Sequence, residues 1–367
     1  MNYNDNLTTP SPSLKGGELF VPSSKEEELK VPLLFKEGLG VVSELSITVI
    51  IPTYNGAKKV INCLHSLEKQ TFQDFETIVV IDGSTDDTKA ILETIKWLLK
   101  DFKVVFQENK GRACVRNTGV RHAKGDLLLF LDDDMRLEAK GVEKHLLHHQ
   151  SIYNKNHINH NSNIKNIYNK TQYSFLIGNA IEDLTLVKTD IQAYRAYLSR
   201  KWANIGKKNI PLNQNNFFLM AANLSVPKQL LDFLGGFDEK LTDAEDYDLG
   251  KRALEQDYVI YFDNEIIGFH DDFITCVSYI KRQKQYKTSH LKLKELYPER
   301  YAQNQYIQKP AKGLKKLIYW LFSADFWVDM IDEKNIFKYN FLKVLPQKLR
   351  YKLYDVIIAA QAVHFPK

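Results

Sequence analysis

Along the first third of the chain, apolar runs end abruptly in polar clusters. Residues 47–51, in ITVIIPTYNG, are apolar or β-branched, the pattern of a strand covered on both faces. Pro52 is expected to end this strand and Asn55-Gly56 to turn the chain. Val60, Ile61, Leu64 and Leu67 then share one side of a helix. FETIVVIDGSTDD repeats the strand pattern and stops at Asp82-Gly83. AILETIKWLLK predicts a second helix, KVVF a third strand, GRACVRNTGVRHAKG a helix closed by Gly125, and DLLLFLDDD a fourth strand. Strands alternating with helices predict right-handed crossovers and a mainly parallel sheet, whose ligands bind at the carboxyl ends of the strands. The polar clusters sit at those ends: Thr53-Tyr54-Asn55, Asp82, and Asp132 to Asp134.

The flanking regions differ. Residues 1–45 mix Pro, Gly, Ser, Lys and Glu without a sustained period, which predicts a poorly ordered leader. Residues 151–172 are rich in Asn, Lys and Ile and predict a loop insertion of low complexity. Strands and a helix starting near DAEDYDLGKRALEQD follow, and residues 276–367 predict a helical extension. Residues 306–367 hold 11 basic and 5 acidic side chains, with aromatic and aliphatic residues between them. That pattern suits either helices packed on the main domain or a peripheral contact with an anionic membrane.

Bulk properties narrow the field. A chain of 367 residues accommodates one large α/β domain with additions. A net charge of +5 is too small to argue for nucleic acid as a partner. Three scattered cysteines without a CxxC pair suit a reducing compartment, and with no basic apolar leader the expected location is cytoplasmic, at the inner face of the cytoplasmic membrane if the tail binds lipid. His145, His148, His149, His157 and His160 have no acidic or Cys companions, so a polar helix end and a biased loop are expected there rather than a metal site.

The aspartates carry the chemistry. In an extended chain Asp132 and Asp134 share a side and Asp133 points away. Two close carboxylates repel unless a cation lies between them, and Mg2+ or Mn2+ prefers such oxygen ligands. By itself the triplet suits a solvated acidic turn equally well.

The order VIIPTYNG, VVIDGSTDDT, NKGRACVRNTGVRHAKGDLLLFLDDD and GGFDEKLTDAEDYDLGKRALEQDY resembles the family 2 glycosyltransferases of the GT-A fold, over roughly residues 46–275. The resemblance implies a Rossmann-like, mainly parallel sheet flanked by helices, with 276–367 as a helical addition. It implies that Pro52, Thr53, Tyr54, Asn55 and Asp82 hold the nucleotide of a sugar donor, although Ile81 stands where the family usually has a second acidic residue. Lys110 and Arg116 would balance phosphate or the acidic cluster. Asp132 and Asp134 match the DXD metal motif, Asp133 lies beside the donor, and His270 stands where a metal-binding histidine is often found. Glu245 and Asp246 match the ED pair that supplies the general base, with Asp246 the preferred base and Asp243 a helix cap. Asn223, in FFLMAANLSVP, would face the acceptor.

The implied reaction is inverting, metal-dependent transfer of a sugar from a nucleotide-sugar, UDP-sugar favoured, to a hydroxyl of a glycan or lipid-linked acceptor in cell-surface polysaccharide synthesis. No QxxRW motif is present, so addition of one sugar per encounter is expected. A sugar-nucleotide nucleotidyltransferase would carry a Gly-rich, Arg/Lys-containing loop after the first strand, where PTYNGAKKV has one glycine and no arginine. A non-catalytic glycan-binding relative is expected to lose DXD or the ED pair, and both are present.

Overall fold

The computed structural model describes residues 45–158, 173–203, 210–304, 306–307, 310–333 and 339–366. The expected leader and residues 159–172 of the expected loop lie outside them.

The first half follows the predicted alternation: β1 (Ile47–Thr53), α1 (Val60–Glu68), β2 (Glu76–Asp82), α2 (Thr88–Thr94), β3 (Asp101–Gln107), α3 (Arg112–His122) and β4 (Leu127–Leu131). β3, β2, β1 and β4 lie side by side and parallel in that order. The chain leaves β1 in one direction to build β2 and β3, then returns to place β4 on the other side. The crevice between β1 and β4 is therefore the switch point at which such sheets bind ligands. Both faces of β1, β2 and β4 are covered, which is why these three lack polar alternation, whereas the edge strand β3 is partly exposed. Ile50, Leu128 and Phe130 belong to the core layer beside α3, and Val49, Ile51, Leu129 and Leu131 to the layer beside α1.

Next come β5 (Met135–Leu137), α4 (Gly141–Ile158), β6 (Ser174–Ile181), α5 (Asp190–Ala203), β7 (Ile210–Leu212), β8 (Asn223–Pro227), α6 (Lys228–Phe233), α7 (Glu245–Glu255) and β9 (Val259–His270). They extend the sheet as β4-β8-β6-β9-β5, with β8 antiparallel to β4 and β7 paired to β9. The last part is helical: α8 (Cys276–Leu296), α9 (Gly313–Leu321), α10 (Asp325–Ile331) and α11 (Gln347–Ala359).

Several expectations are corrected. β1 runs through Pro52 to Thr53, because its pairing with β4 has ended at Ile50 and only β2 continues alongside. α2 stops at Thr94; Trp97 and Leu99 are buried from an extended stretch, so their apolar pattern reflects burial and not helical period. α3 ends at His122, not at Gly125. Gly125 instead lets the chain pass β1, since a Cβ there would lie 2.6 Å from the Thr48 amide. α4 continues to Ile158 over the start of the expected loop. His145 and His149 are buried and hydrogen-bonded to β8, not solvated at a helix end. The His157 and His160 side chains fall outside the described residues.

The helical extension divides in two. α10 and α11 pack with α8 on α5, around Tyr194, Tyr279, Tyr351 and Tyr354. Arg350 and Tyr354 of α11 both bond Asp190 at the start of α5. α9 is anchored mainly through Tyr319, which stacks on His364 with ring centroids 4.0 Å apart. No helix among the described residues is long and apolar enough to cross a membrane.

Candidate active site

Residues 132–134 form a tight turn after β4, closed by the Met135 amide donating to the Asp132 carbonyl at 3.0 Å. The turn sends the three carboxylates to three partners. Asp133 is taken inward, accepting from the Thr53 hydroxyl at 2.6 Å across the β1–β4 crevice. This contact needs glycine at 56, where a Cβ would fall 2.3 Å from the Asp133 oxygen. Burial and the charge of Asp134 push the Asp133 carboxyl up to about 7, against the Thr53 bond. Asp132 and Asp134 line an open cleft, with Arg116, Asn179, Asp246 and His270.

Asp134 lies at the end of that cleft where the cationic partners gather. Lys59 donates to its Oδ2 at 3.0 Å and His270 Nε2 lies 3.3 Å from its Oδ1. Burial opposes ionisation of Asp134, but His270 and Lys59 outweigh it and hold the carboxyl below its usual range. His270 reaches this point because β9 pairs antiparallel with β5, setting His270 opposite Met135.

Asp132 instead faces Arg116, whose Nη2 donates to Oδ1 at 2.9 Å. The other arm of the same guanidinium bonds Glu245 on α7. Arg116 is buried, 4% exposed, over the ring of Phe237. It therefore pairs with the acidic cluster, one of the two roles expected of it. Glu245 is also buried, and its second oxygen has no hydrogen-bond partner.

Asp246 is half-buried on the cleft side of α7. Its oxygens accept from the amides of Ala221 at 3.3 Å and Tyr247 at 2.7 Å. Burial first, then the neighbouring Glu245, push its carboxyl up to about 7, while Arg116 opposes. A carboxylate in that range can both accept and release a proton near neutrality. Ala244, with φ of 60°, sets the entry of α7 in the left-handed region. It, and not Asp243, occupies the cap position. Asp243 is held by Arg112 at 3.3 Å and Arg282 at 2.8 Å.

Other expected residues lie elsewhere. Asp82 is buried and accepts from Gln107 at 2.7 Å and from the Lys110 and Gly111 amides at 2.9 Å. It shapes the β3–α3 loop, and three donors leave about one of its four acceptor positions. Lys110 joins through its backbone, with its side chain exposed. Asn55 ties the ends of β1 and β2 by accepting from the Thr85 amide at 2.8 Å, and Tyr54 beside it is open to solvent. Asn223 is not at the cleft: it is 1% exposed, bonded to His145 and the carbonyls of Asn179 and Ile266. Phe218, Leu219 and Met220 of the same segment line the cleft in its place. Lys59, Arg112 and Arg282 were missed by the sequence reading, because nothing local marks a lysine or arginine whose partner is 39 to 131 residues away.

The mixed α/β sheet with its flanking helices is the GT-A arrangement. Residues 48–188 match the model of the family described as Glycosyl transferase family 2, and the chain carries a domain of that family over those residues. Among curated relatives, the Uncharacterized glycosyltransferase YfnE of Bacillus subtilis (strain 168) is 28% identical, over 62% of this chain and 65% of its own length. Glycosyltransferase AglE of Haloferax volcanii is 25% identical, over 61% of this chain and 66% of its own. The chain thus spans less than two thirds of the length of either relative. Among solved structures, the mannosyltransferase PcManGT from Pyrobaculum calidifontis, in complex with GDP-Man and Mn2+, superposes with a TM-score of 0.52 at 15% identity, over 88% of both chains.

Proposed function

We propose that the protein is an inverting, metal-dependent glycosyltransferase that moves a sugar from a nucleotide-sugar, UDP-sugar favoured, to a hydroxyl of a glycan or lipid-linked acceptor in cell-surface polysaccharide synthesis. One observation carries this reading. Asp134 with His270, and Asp246 with its raised carboxyl, line the same cleft, and the buried Arg116 ties Asp132 to Glu245 between them. A membrane-borne acceptor fits it, since α9 leaves an apolar face uncovered.

The donor set suits a hard divalent cation such as Mg2+ or Mn2+. Such ions take one or two carboxylates and fill their other positions with water and substrate phosphate. Among the described residues no three ligating side chains already converge, so Asp134 and His270, with Asp132 beside them, would hold the ion together with the donor. Bound there, the cation supplies charge to offset the leaving diphosphate.

The chain's own residues do the rest. Asp246 accepts the proton of the acceptor hydroxyl as its oxygen bonds to the anomeric carbon. The bond from that carbon to the diphosphate oxygen breaks on the opposite face, so a single displacement inverts the centre and no enzyme nucleophile takes part. Arg116 holds Glu245 and Asp132 in place without itself being free to move. Lys59, 44% exposed at its side chain, adds positive charge where phosphate arrives.

The test is a screen of UDP-, GDP- and dTDP-sugars for Mn2+-dependent binding and hydrolysis. Asp134→Ala is expected to abolish the metal-dependent turnover with the fold intact. Turnover that survives both chelation and the Asp132→Ala and Asp134→Ala changes would overturn the metal role.

A further inference from the structure

Helix α9 is turned inside out. Leu314, Leu317, Ile318 and Leu321 recur at three- and four-residue spacing and so share one face of the helix. That face points to solvent: Leu314 is 72% exposed, Leu317 51% and Leu321 53%. The helix is held from roughly the opposite side, through Tyr319, its only buried residue. A helix that docked for stability alone would bury its leucines and expose its lysines. Here Lys315 and Lys316 are exposed on either side of Tyr319, behind the leucine face, with Lys315 Nζ 5.8 Å from the Tyr319 ring centre, and Trp320, 59% exposed, lies between Lys316 and that face.

We propose that α9 is a membrane-contact helix. It lies parallel to an anionic bilayer with its leucine face in the acyl boundary, Trp320 at the level of the headgroups, and Lys315 and Lys316 on lipid phosphate. Charge selects this occupant. The segment 306–367 carries an excess of six positive side chains, with 11 basic and 5 acidic, which favours an anionic surface. Lysine stems are long enough to keep their charge in the headgroups while the leucines insert, and tryptophan favours the same depth. The membrane contact does not depend on the glycosyltransferase reading; its consequence, that acceptors are met in the plane of the membrane, rests on that reading.

The experiment uses the full chain, sedimented with phosphatidylglycerol–phosphatidylcholine vesicles or with phosphatidylcholine vesicles alone. Binding to the anionic vesicles is expected, weakening as salt is raised. Leu317→Glu with Leu321→Glu should abolish it. Lys315→Ser with Lys316→Ser should weaken it at least about tenfold, each lysine near the surface contributing roughly fivefold. These side chains are exposed, so the urea midpoint of the variants should match the parent, and hydrolysis of the donor in solution should be unchanged. Failure of the parent to bind anionic vesicles overturns the proposal. So does equal binding by the leucine variant. So does a parent dimer in sedimentation velocity that the leucine change converts to monomer without altering vesicle binding, since that outcome assigns the face to a second copy. Loss of donor hydrolysis in the parent would count against the proposed function and leave the vesicle result standing.

Discussion

The guanidinium of Arg116 donates to the carboxylate of Glu245, joining the middle of α3 to the first turn of α7 inside the protein. The same group holds Asp132, so one buried cation serves two acids from separate parts of the chain. Removing it leaves carboxylates desolvated and uncompensated. Arg116→Ala is expected to cost about 3–5 kcal/mol of unfolding free energy. Arg116→Lys should recover only part of this, because an ammonium lacks the two-armed fork. Urea titrations of the three proteins would decide it; an Arg116→Ala variant as stable as the parent would show that the bridge has no structural weight.

Asp246 predicts a pH profile. The groups facing it are Glu245 on its own helix, Arg116 from α3, Asp243 before the helix, and the amides of Ala221 and Tyr247. With its carboxyl pushed up to about 7, the base form grows as pH rises through that value. Transfer to an acceptor should therefore rise between about pH 6 and 8 and then level. Asp246→Asn should lower kcat by roughly 10²- to 10⁴-fold, with donor binding retained. Glu245→Gln should act mainly through the Arg116 contact and stability. The reverse pattern, with Asp246→Asn fully active, would move the base role to Glu245.

Much of this was legible in the sequence, and the exceptions have physical causes. β1, β2 and β4 announce themselves because strands covered on both faces run as nearly continuous apolar and β-branched residues, with their charged groups confined to the strand ends. The ends of those strands then mark the site. The roles at the site were less legible. Asp82 was expected to help hold the nucleotide, yet its carboxylate is mostly used by the loop amides at 110 and 111, and such backbone partners leave no trace in composition. Alternation along an extended chain pointed Asp133 away from Asp132 and Asp134, whereas the segment is a turn in which Thr53 draws Asp133 inward, off the cleft where the resemblance had set it beside the donor. Asn223 was placed by its neighbours in sequence, and β8 turns it to the other side, towards His145.

That side of β8 predicts acid sensitivity. The Asn223 amide donates to the carbonyls of Asn179 and Ile266, so its oxygen must accept from His145 Nε2. His145 Nδ1 then accepts from the Ser225 hydroxyl at 2.8 Å, and Ser225 in turn accepts from His149 Nε2 at 2.9 Å. The chain of bonds requires His145 to be neutral, since its Nδ1 accepts; burial, and not these bonds, disfavours the charged form of His149. Burial lowers His145 from 6.5 to about 4. Because the folded value is depressed, the unfolded chain binds the proton more tightly on acidification. The stabilising contribution is present above pH 6.5 and is lost as pH falls through about 4. The loss is on the order of 3 kcal/mol for this group. His145→Gln should lower stability at neutral pH and flatten its decline with acid. A parent whose urea midpoint is level from neutral pH to about pH 4 would contradict this.

Gly125 provides a test of the close approach that sequence reading mistook for a helix cap. The Gly125 amide donates to the Thr48 hydroxyl at 2.9 Å, and the same hydroxyl donates to the buried Glu76 at 2.7 Å. A Cβ at 125 would meet the Thr48 amide at 2.6 Å and its hydroxyl at 2.7 Å, so β1 and the start of β4 would have to separate. Gly125 is not among the positive-φ glycines, so the cost is steric and not conformational. Gly125→Ala is expected to destabilise by roughly 1–3 kcal/mol, the range for overpacking a filled site. A cap role predicts something else, since an alanine outside the positive-φ region would be neutral or slightly stabilising through the unfolded chain. The sign of the shift in the urea midpoint separates the two. Gly111→Ala is the informative control: no atom lies within 4 Å of its Cβ, but its φ of 88° makes its cost purely one of backbone strain.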